Sequence, residues 1–282
     1  MSSSGIEAAQ DAPAAESRRL YPIFCRGHSG GRVVCEAFIR NGIDMGLVAR
    51  DRKDTEWFSP DDNPAVRRLV QGGFQYPELS AAEQTAWQRE TVACIRNYAA
   101  DEICGSGPFG WKMGVTLFMM PMVLDAFPRA RVIHLVRDGR DVMLSRLDAR
   151  MDFRSRLNRL AVFGDPDIER WRGRPLDRET VAAHRNEIEM QHWVTAVEFG
   201  LRCRTYGDRC IEVRYEDICR SPAAVFERIF DFLEVPFRAD TKDWLDRSVT
   251  TDRIGKWRSL PAEELVPALA IGADLLKRLG YV

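Results

Sequence analysis

The residues best placed to do chemistry lie in the stretch RVIHLVRDGRDVMLS, residues 131–145. Its apolar start has no strict alternation, the pattern of a buried parallel strand. That strand ends at Arg137, and a helix begins near Asp138 or Asp141, either of which suits an N-cap. The first four residues after Arg137 make the turn, and Ser145 falls about one helical turn in, so both side chains face one anion. Arg137 supplies a planar fork that matches phosphate oxygens, and Ser145 a neutral donor. Residues 129–159 hold nine arginines against four aspartates, a local excess of +5 in a chain whose net charge is -1. Arg150, Arg154, Arg156 and Arg159 read as a solvated helix face; Arg137, at the strand exit, reads as a ligand.

A second anion site follows an earlier strand. Cys25-Arg26-Gly27-His28-Ser29-Gly30-Gly31-Arg32 leads into a helical pattern at Val33, Val34, Ala37 and Phe38. Its glycines let the backbone turn tightly and aim N–H groups inward, where the helix N-terminus reinforces them. Ser29 adds a hydroxyl, and His28 and Arg32 add positive charge. The nucleotide-kinase loop GxxxxGK(S/T) is not matched: Gly27 fits its first glycine, but Gly31 is followed by Arg32. The loop therefore disfavours ATP-dependent phosphoryl transfer.

Three short apolar runs position these loops: residues 20–25, 131–136 and 210–215. Helical patterns lie between them, at 115–126, 187–204 and 222–233, the last with Pro222 near its start. Strands alternating with helices imply a mostly parallel α/β sheet, whose ligands lie at the carboxyl ends of the strands. The stretch 57–107 has no clear strand; Pro60, Pro64, Gly72-Gly73 and Pro77 break it early, and 87–99 looks helical. It is a candidate insertion or lid. Residues 1–19 read as a disordered tail with no signal-peptide pattern, and residues 20–282 as one domain.

The chain has 282 residues, 45% hydrophobic and 29% charged, which suits a soluble globular protein with its own core. Near-neutral charge excludes a globally basic nucleic-acid binder and disfavours a long polyanionic partner. The longest apolar stretch, 113–127, is interrupted by Thr116, Pro121 and Asp125 and is too short to span a bilayer. Seven cysteines, an odd number without CxxC spacing, argue against a disulfide framework and a zinc site. Buried thiols in a reducing compartment, and a cytoplasmic location, are expected.

These residues resemble the bacterial sulfotransferases that use 3′-phosphoadenosine 5′-phosphosulfate (PAPS). In that family an RSGT-type loop grips the 5′-phosphosulfate, and an "lvRdprDvxxS" strand and helix grip the 3′-phosphate. LVRDGRDVMLS matches the second, so the resemblance gives Arg137 and Ser145 the 3′-phosphate role. Gly27, His28, Ser29, Gly30, Gly31 and Arg32 stand for the loop, with His28 at the usual cation and Gly31 at the usual threonine. Gly110-Trp111-Lys112 with Phe127-Pro128-Arg129 is similar to "WK-x-P…fPdar". Arg214-Tyr215-Glu216-Asp217 is similar to "RYEDL", whose tyrosine borders the adenine. Gly255-Lys256-Trp257-Arg258 and Leu279-Gly280-Tyr281 are similar to the C-terminal "GxW" and "lGY" pattern. Thr250-Thr251-Asp252 replaces the family's Arg-Lys-Gly triplet, with Arg253 and Lys256 as substitutes.

The resemblance implies a three-layer, P-loop-like α/β fold and in-line sulfuryl transfer to a hydroxyl or amine of a small molecule or carbohydrate, releasing PAP without a metal. Lys112 and His28 are the expected catalytic cations. Glu56 and Asp54 are the preferred bases, with Asp51, Asp44 and His28 behind them. His134, His184 and His192 read as packed histidines. The competing readings are a P-loop small-molecule kinase and a non-catalytic nucleotide-binding protein.

Overall fold

The computed structural model describes residues 18–148 and 178–282. In chain order its elements are β1 (Ile23–Cys25), α1 (Gly31–Arg40), α2 (Pro64–Gly73), α3 (Ala81–Glu102), α4 (Met120–Ala126), β2 (Val132–Val136), α5 (Gly139–Asp148), α6 (Arg178–Ala183), α7 (Arg185–Gly200), β3 (Cys210–Arg214), α8 (Tyr215–Arg220), α9 (Pro222–Leu233), α10 (Ala239–Ser248) and α11 (Ala262–Arg278). The three strands pair in parallel in the order β1-β2-β3, with Ile23 opposite Ile133 and Val132 opposite Cys210. All three expected strands are present: β2 and β3 are one residue shorter than their apolar runs, and β1 keeps the last three residues of six.

The sheet is covered on both faces, as parallel sheets require. On one side Ile23, Cys25, Ile133, Leu135 and Val213 pack with Val34 and Phe38 of α1 and Phe226 and Phe230 of α9. On the other, Phe24 and Val132 pack with α3, α4 and the end of α7. Val136 adds a third cluster with Val142 and Met143 of α5, Met190 and Trp193 of α7, and Leu265 and Leu276 of α11. The result is the expected three-layer α/β architecture.

The 57–107 stretch shares this core: Phe58, Val66, Leu69, Ile95 and Tyr98 join the cluster around Phe24 and Trp111. Pro64 does not break it. Pro64 opens α2, where its missing N–H costs nothing, and Asn63 caps the helix through Ala65 N–H at 3.1 Å. Gly73, the last residue of α2, leaves room for the neighbouring turn: a Cβ there would lie 2.0 Å from the Phe118 carbonyl oxygen. A Ser80–Glu83 capping box starts α3 at 81, before the 87 expected. The helix expected over 115–126 divides into a 3-10 turn, Gly114–Met119, and α4, with Pro121 in the first turn of α4. Similarly, α7 stops at Gly200, and 3-10 turns carry the chain to Arg209.

Of the tail expected over 1–19, residues 1–17 lie outside the described residues. Arg18 is buried and donates to the Gly107 carbonyl at 2.8 Å. The far end of the chain is also held. The Tyr281 hydroxyl donates to Glu216 Oε2 at 3.0 Å, its carbonyl accepts from Arg140 at 2.8 Å, and its ring lies 4.3 Å from the Arg214 guanidinium carbon. The cysteines depart from the expected buried thiols at three positions: Cys203 and Cys210 form a disulfide, their Cα atoms 5.7 Å apart at the turn into β3, and Cys104 is not buried. Cys25, Cys35, Cys94 and Cys219 are buried free thiols, and Cys104 is exposed. No helix among the described residues is long and apolar enough to cross a membrane.

Candidate functional site

Parallel pairing puts the carboxyl ends of β1 and β2 side by side, so the loops that follow them share one edge of the sheet. The 26–30 loop closes with a bond from Ser29 N–H to the Arg26 carbonyl at 3.1 Å and passes through left-handed φ at His28 (72°) and Gly30 (93°). At Gly30 a side chain is excluded twice over: its φ is unfavourable and a Cβ would lie 2.2 Å from Tyr215 Cδ2. Gly31 begins α1, directing the positive end of that ten-residue helix at the loop. The Ser29 hydroxyl is fully buried here and has no hydrogen-bond partner among the described residues. An orphaned hydroxyl beside a helix N-terminus suits an anionic guest.

Arg137 leaves β2 toward this loop. Its Nη1 donates to the His28 carbonyl at 2.9 Å, and its Nη2 to the Arg253 carbonyl at 2.6 Å. Its guanidinium carbon stands 4.6 Å from the centre of the Tyr215 ring, and its buried Nε has no partner among the described residues. The Trp193 indole N–H fixes the Arg137 carbonyl at 3.0 Å. Ser145 Oγ hydrogen-bonds His28 Nδ1 at 2.9 Å, which joins the strand exit to the loop directly. Asp138 caps α5 as expected, accepting from Arg140 N–H at 3.0 Å. The helix starts at Gly139, so Ser145 is its seventh residue, nearly two turns in rather than one. Asp141 has another duty: its carboxylate accepts from the backbone N–H groups of Gly255 and Trp257 at 2.7 and 3.1 Å.

Lys112 sits beside the same loop. Its Cε is 2.9 Å from where a Cβ on Gly31 would lie, and its Nζ donates to Asp54 Oδ1 at 2.6 Å and to the Arg52 carbonyl at 2.8 Å. Thus the structure unites Lys112 with Asp54 at the loop. Glu56 is exposed, and no described side-chain bond ties it to this cluster. Arg32 is exposed and reaches to the Asp51 carbonyl at 3.0 Å, and Asp44 is occupied by the N–H groups of Gly46 and Cys104. Arg253 meets Arg137 through its backbone; its own guanidinium is exposed, 3.6 Å from Asp252, and Lys256 is exposed on the same turn.

A buried charge cluster behind the loop was not legible in the sequence. Glu189 of α7 accepts from Arg26 at 3.3 Å and from Arg146 of α5, and Arg26 lies 3.4 Å from His192 Nδ1. Burial alone would raise the Glu189 pKa; the charges of Arg146, Arg26 and His192 outweigh it and bring it down to about 2. Arg146 Nη1 also lies 3.4 Å from where a Cβ on Gly27 would stand. Arg26 and Arg146 each adjoin a residue already picked out, but their shared acid is more than 40 residues from either.

The other histidines are largely as expected. His134 is fully buried in β2, and burial pushes its pKa down to about 4. His184 stands just ahead of α7, 3.0 Å from Glu187, and His192 is packed but beside Arg26. Among the described residues, no group of three His, Cys, Asp or Glu side chains is placed to hold a metal. Arg150, Arg154, Arg156 and Arg159 lie outside the described residues.

A family model described as "Sulfotransferase family" matches residues 6–239. Protein-tyrosine sulfotransferase A of Caenorhabditis elegans is 24% identical over 203 residues, which are 64% of this chain and 45% of that protein. Carbohydrate sulfotransferase 3 of Mus musculus is 28% identical over 140 residues, 48% of this chain and 27% of that protein. The chain thus spans less than half the length of these relatives. Among solved structures, the sulfotransferase domain of the Synechococcus PCC 7002 olefin synthase aligns over 92% of this chain and 94% of its own, with a TM-score of 0.54 and 19% identity. Sulfotransferase STF9 from Mycobacterium avium aligns over 95% of this chain and 77% of its own, with a TM-score of 0.52 and 16% identity. These likenesses establish a shared fold.

Proposed function

The chain belongs to the sulfotransferase family, and on that premise we propose that it transfers a sulfuryl group from PAPS to a hydroxyl or amine of a small-molecule or carbohydrate acceptor. The carrying observation is the junction of the two loops: Arg137 bonds the His28 carbonyl at 2.9 Å while Ser145 bonds the His28 ring at 2.9 Å. One bisphosphorylated nucleoside then has a cradle for each anionic end.

Bound PAPS supplies an activated sulfuryl group on its 5′-phosphate. The loop residues Gly27, His28, Ser29, Gly30 and Gly31 hold that end with backbone N–H groups and the Ser29 hydroxyl. Arg137 and Ser145 hold the 3′-phosphate, and the Tyr215 ring walls the nucleoside between them. Lys112 stabilises the negative charge that develops on the leaving oxygen, the role in which one well-aimed donor matters most. Asp54, held 2.6 Å from Lys112, takes the proton of the acceptor. Positioning and charge stabilisation carry such a transfer, with no covalent intermediate on the protein. Arg32, Arg253 and Lys256 add positive charge around the cleft, and Glu56 is the reserve base.

Calorimetric titration with PAP and with magnesium–ATP, followed by a labelled-sulfate transfer assay on pooled acceptors, tests the reading. PAP binding with sulfate transfer is the expected result. Binding of ATP without PAP favours a kinase and overturns it; PAP binding without turnover leaves a non-catalytic nucleotide-binding protein.

A further inference from the structure

We propose that Asp141 is a positioning residue of the donor site, which anchors the 253–258 turn beside Arg137 so that Arg253 and Lys256 face the far phosphate; this rests on the nucleotide reading above. The Asp141 side chain is only 1% exposed, and such a carboxylate is costly to bury without partners. It has the N–H groups of Gly255 and Trp257, one on each oxygen, and the Arg137 guanidinium 3.9 Å away.

The turn it holds is tight. Gly255 is left-handed at φ 73°, and Arg258 N–H returns to the Gly255 carbonyl at 3.2 Å. Trp257 is covered by Arg140, whose guanidinium carbon is 3.9 Å from the ring centre. Arg137 grips the same turn through the Arg253 carbonyl at 2.6 Å. That second grip competes with phosphate, because the Nη2 used on Arg253 belongs to the fork that a phosphate would take. The same Nη2 lies 3.9 Å from Asp141, but the two backbone amides that Asp141 holds are not groups a phosphate on Arg137 would draw away. Asp141 therefore keeps the turn in place when Arg137 engages a ligand.

The test compares PAP with 5′-AMP, which lacks the 3′-phosphate, by calorimetry on the full chain. Asp141→Asn removes one acceptor and turns a donor toward a backbone N–H. Affinity for PAP should fall roughly 10- to 100-fold, the range for one lost charge-assisted bond, while 5′-AMP changes by less than about twofold. Adding Arg253→Ala and Lys256→Ala to Asp141→Asn should cause no further loss. Hydrogen exchange at the amides of Gly255 and Trp257 should accelerate in Asp141→Asn. Equal weakening of both nucleotides would make Asp141 a general fold support and overturn the proposal. Tighter PAP binding would also overturn it, since Asp141 would then only neutralise Arg137. Should Asp141→Asn fail to fold, the exposed pair Arg253→Ala with Lys256→Ala in the parent decides: unchanged PAP affinity refutes the proposal. A parent that binds no PAP strikes the nucleotide reading itself, whereas unchanged amide exchange in Asp141→Asn strikes the anchor alone.

Discussion

Glu189→Gln is the sharpest test of how this site is built. Glu189 is buried on α7 and takes bonds from Arg26, ahead of the glycine turn, and Arg146, one residue after Ser145. Its pKa falls from an ordinary 4.5 to about 2, because the two guanidiniums and His192 outweigh the opposing effect of burial. At about 1.36 kcal/mol per unit, that depression is worth on the order of 3 kcal/mol of stability at neutral pH. The sign follows from the lowered folded-state value. The contribution is complete above 4.5 and drains away as pH drops toward 2. Glutamine keeps the shape and removes the charge that both buried guanidiniums bond, a change that costs about 3–5 kcal/mol. Denaturant unfolding at pH 7 should show that loss, and the gap between parent and variant should narrow from pH 5 to pH 3. Parallel stability curves across that range, or equal stability at pH 7, would refute the reasoning. Arg26→Met should recover part of the loss in the glutamine background and cost stability in the parent.

Arg137→Ala should weaken PAP binding by about 1.5–3 kcal/mol, the range for a hydrogen bond to a charged group; an unchanged calorimetric dissociation constant removes the residue from the site. Lys112→Ala should cut the rate of sulfate transfer by roughly 100- to 1,000-fold, as for loss of an oxyanion donor, with PAP affinity nearly kept. Loss of affinity without loss of turnover would place Lys112 in binding alone. His134 is buried, lacks partners at both ring nitrogens, and titrates near 4 instead of 6.5. Keeping this ring uncharged costs nothing above pH 6.5, and the cost grows to about 3 kcal/mol as pH falls to 4. His134→Leu should flatten the stability profile in that window, as read by thermal unfolding at fixed ionic strength.

What the sequence disclosed was local. Each strand announced itself as an unbroken apolar run, since both faces of a parallel sheet are covered. The first candidate anion loop was visible because glycine, serine and arginine sit together at a strand end, the second because an arginine closes a strand eight residues ahead of a helical serine. The meeting of Arg137 with the turn at 28 followed once two neighbouring strands were assumed parallel. What stayed hidden was set by distance along the chain. Nothing near Glu189 marks it as the partner of arginines 43 and 163 residues away. Asp141 read as a helix cap because capping is the commonest use of an acid there; its real partners are backbone amides more than 110 residues on. Glu56 and Asp54 were equivalent on paper, and only the approach of Lys112 separates them. Pro64 read as a breaker because the same residue opens a helix or ends one, depending on what precedes it.

One tyrosine couples α5 to β3 and α8. Tyr281 is fastened by its hydroxyl, its carbonyl and its ring to Glu216, Arg140 and Arg214, and Glu216 Oε1 in turn accepts from Asp138 N–H at 3.0 Å. Removing the Tyr281 hydroxyl would strip Glu216 Oε2 of a donor, and the loosened carboxylate is the one that holds the Asp138 N–H at the start of α5.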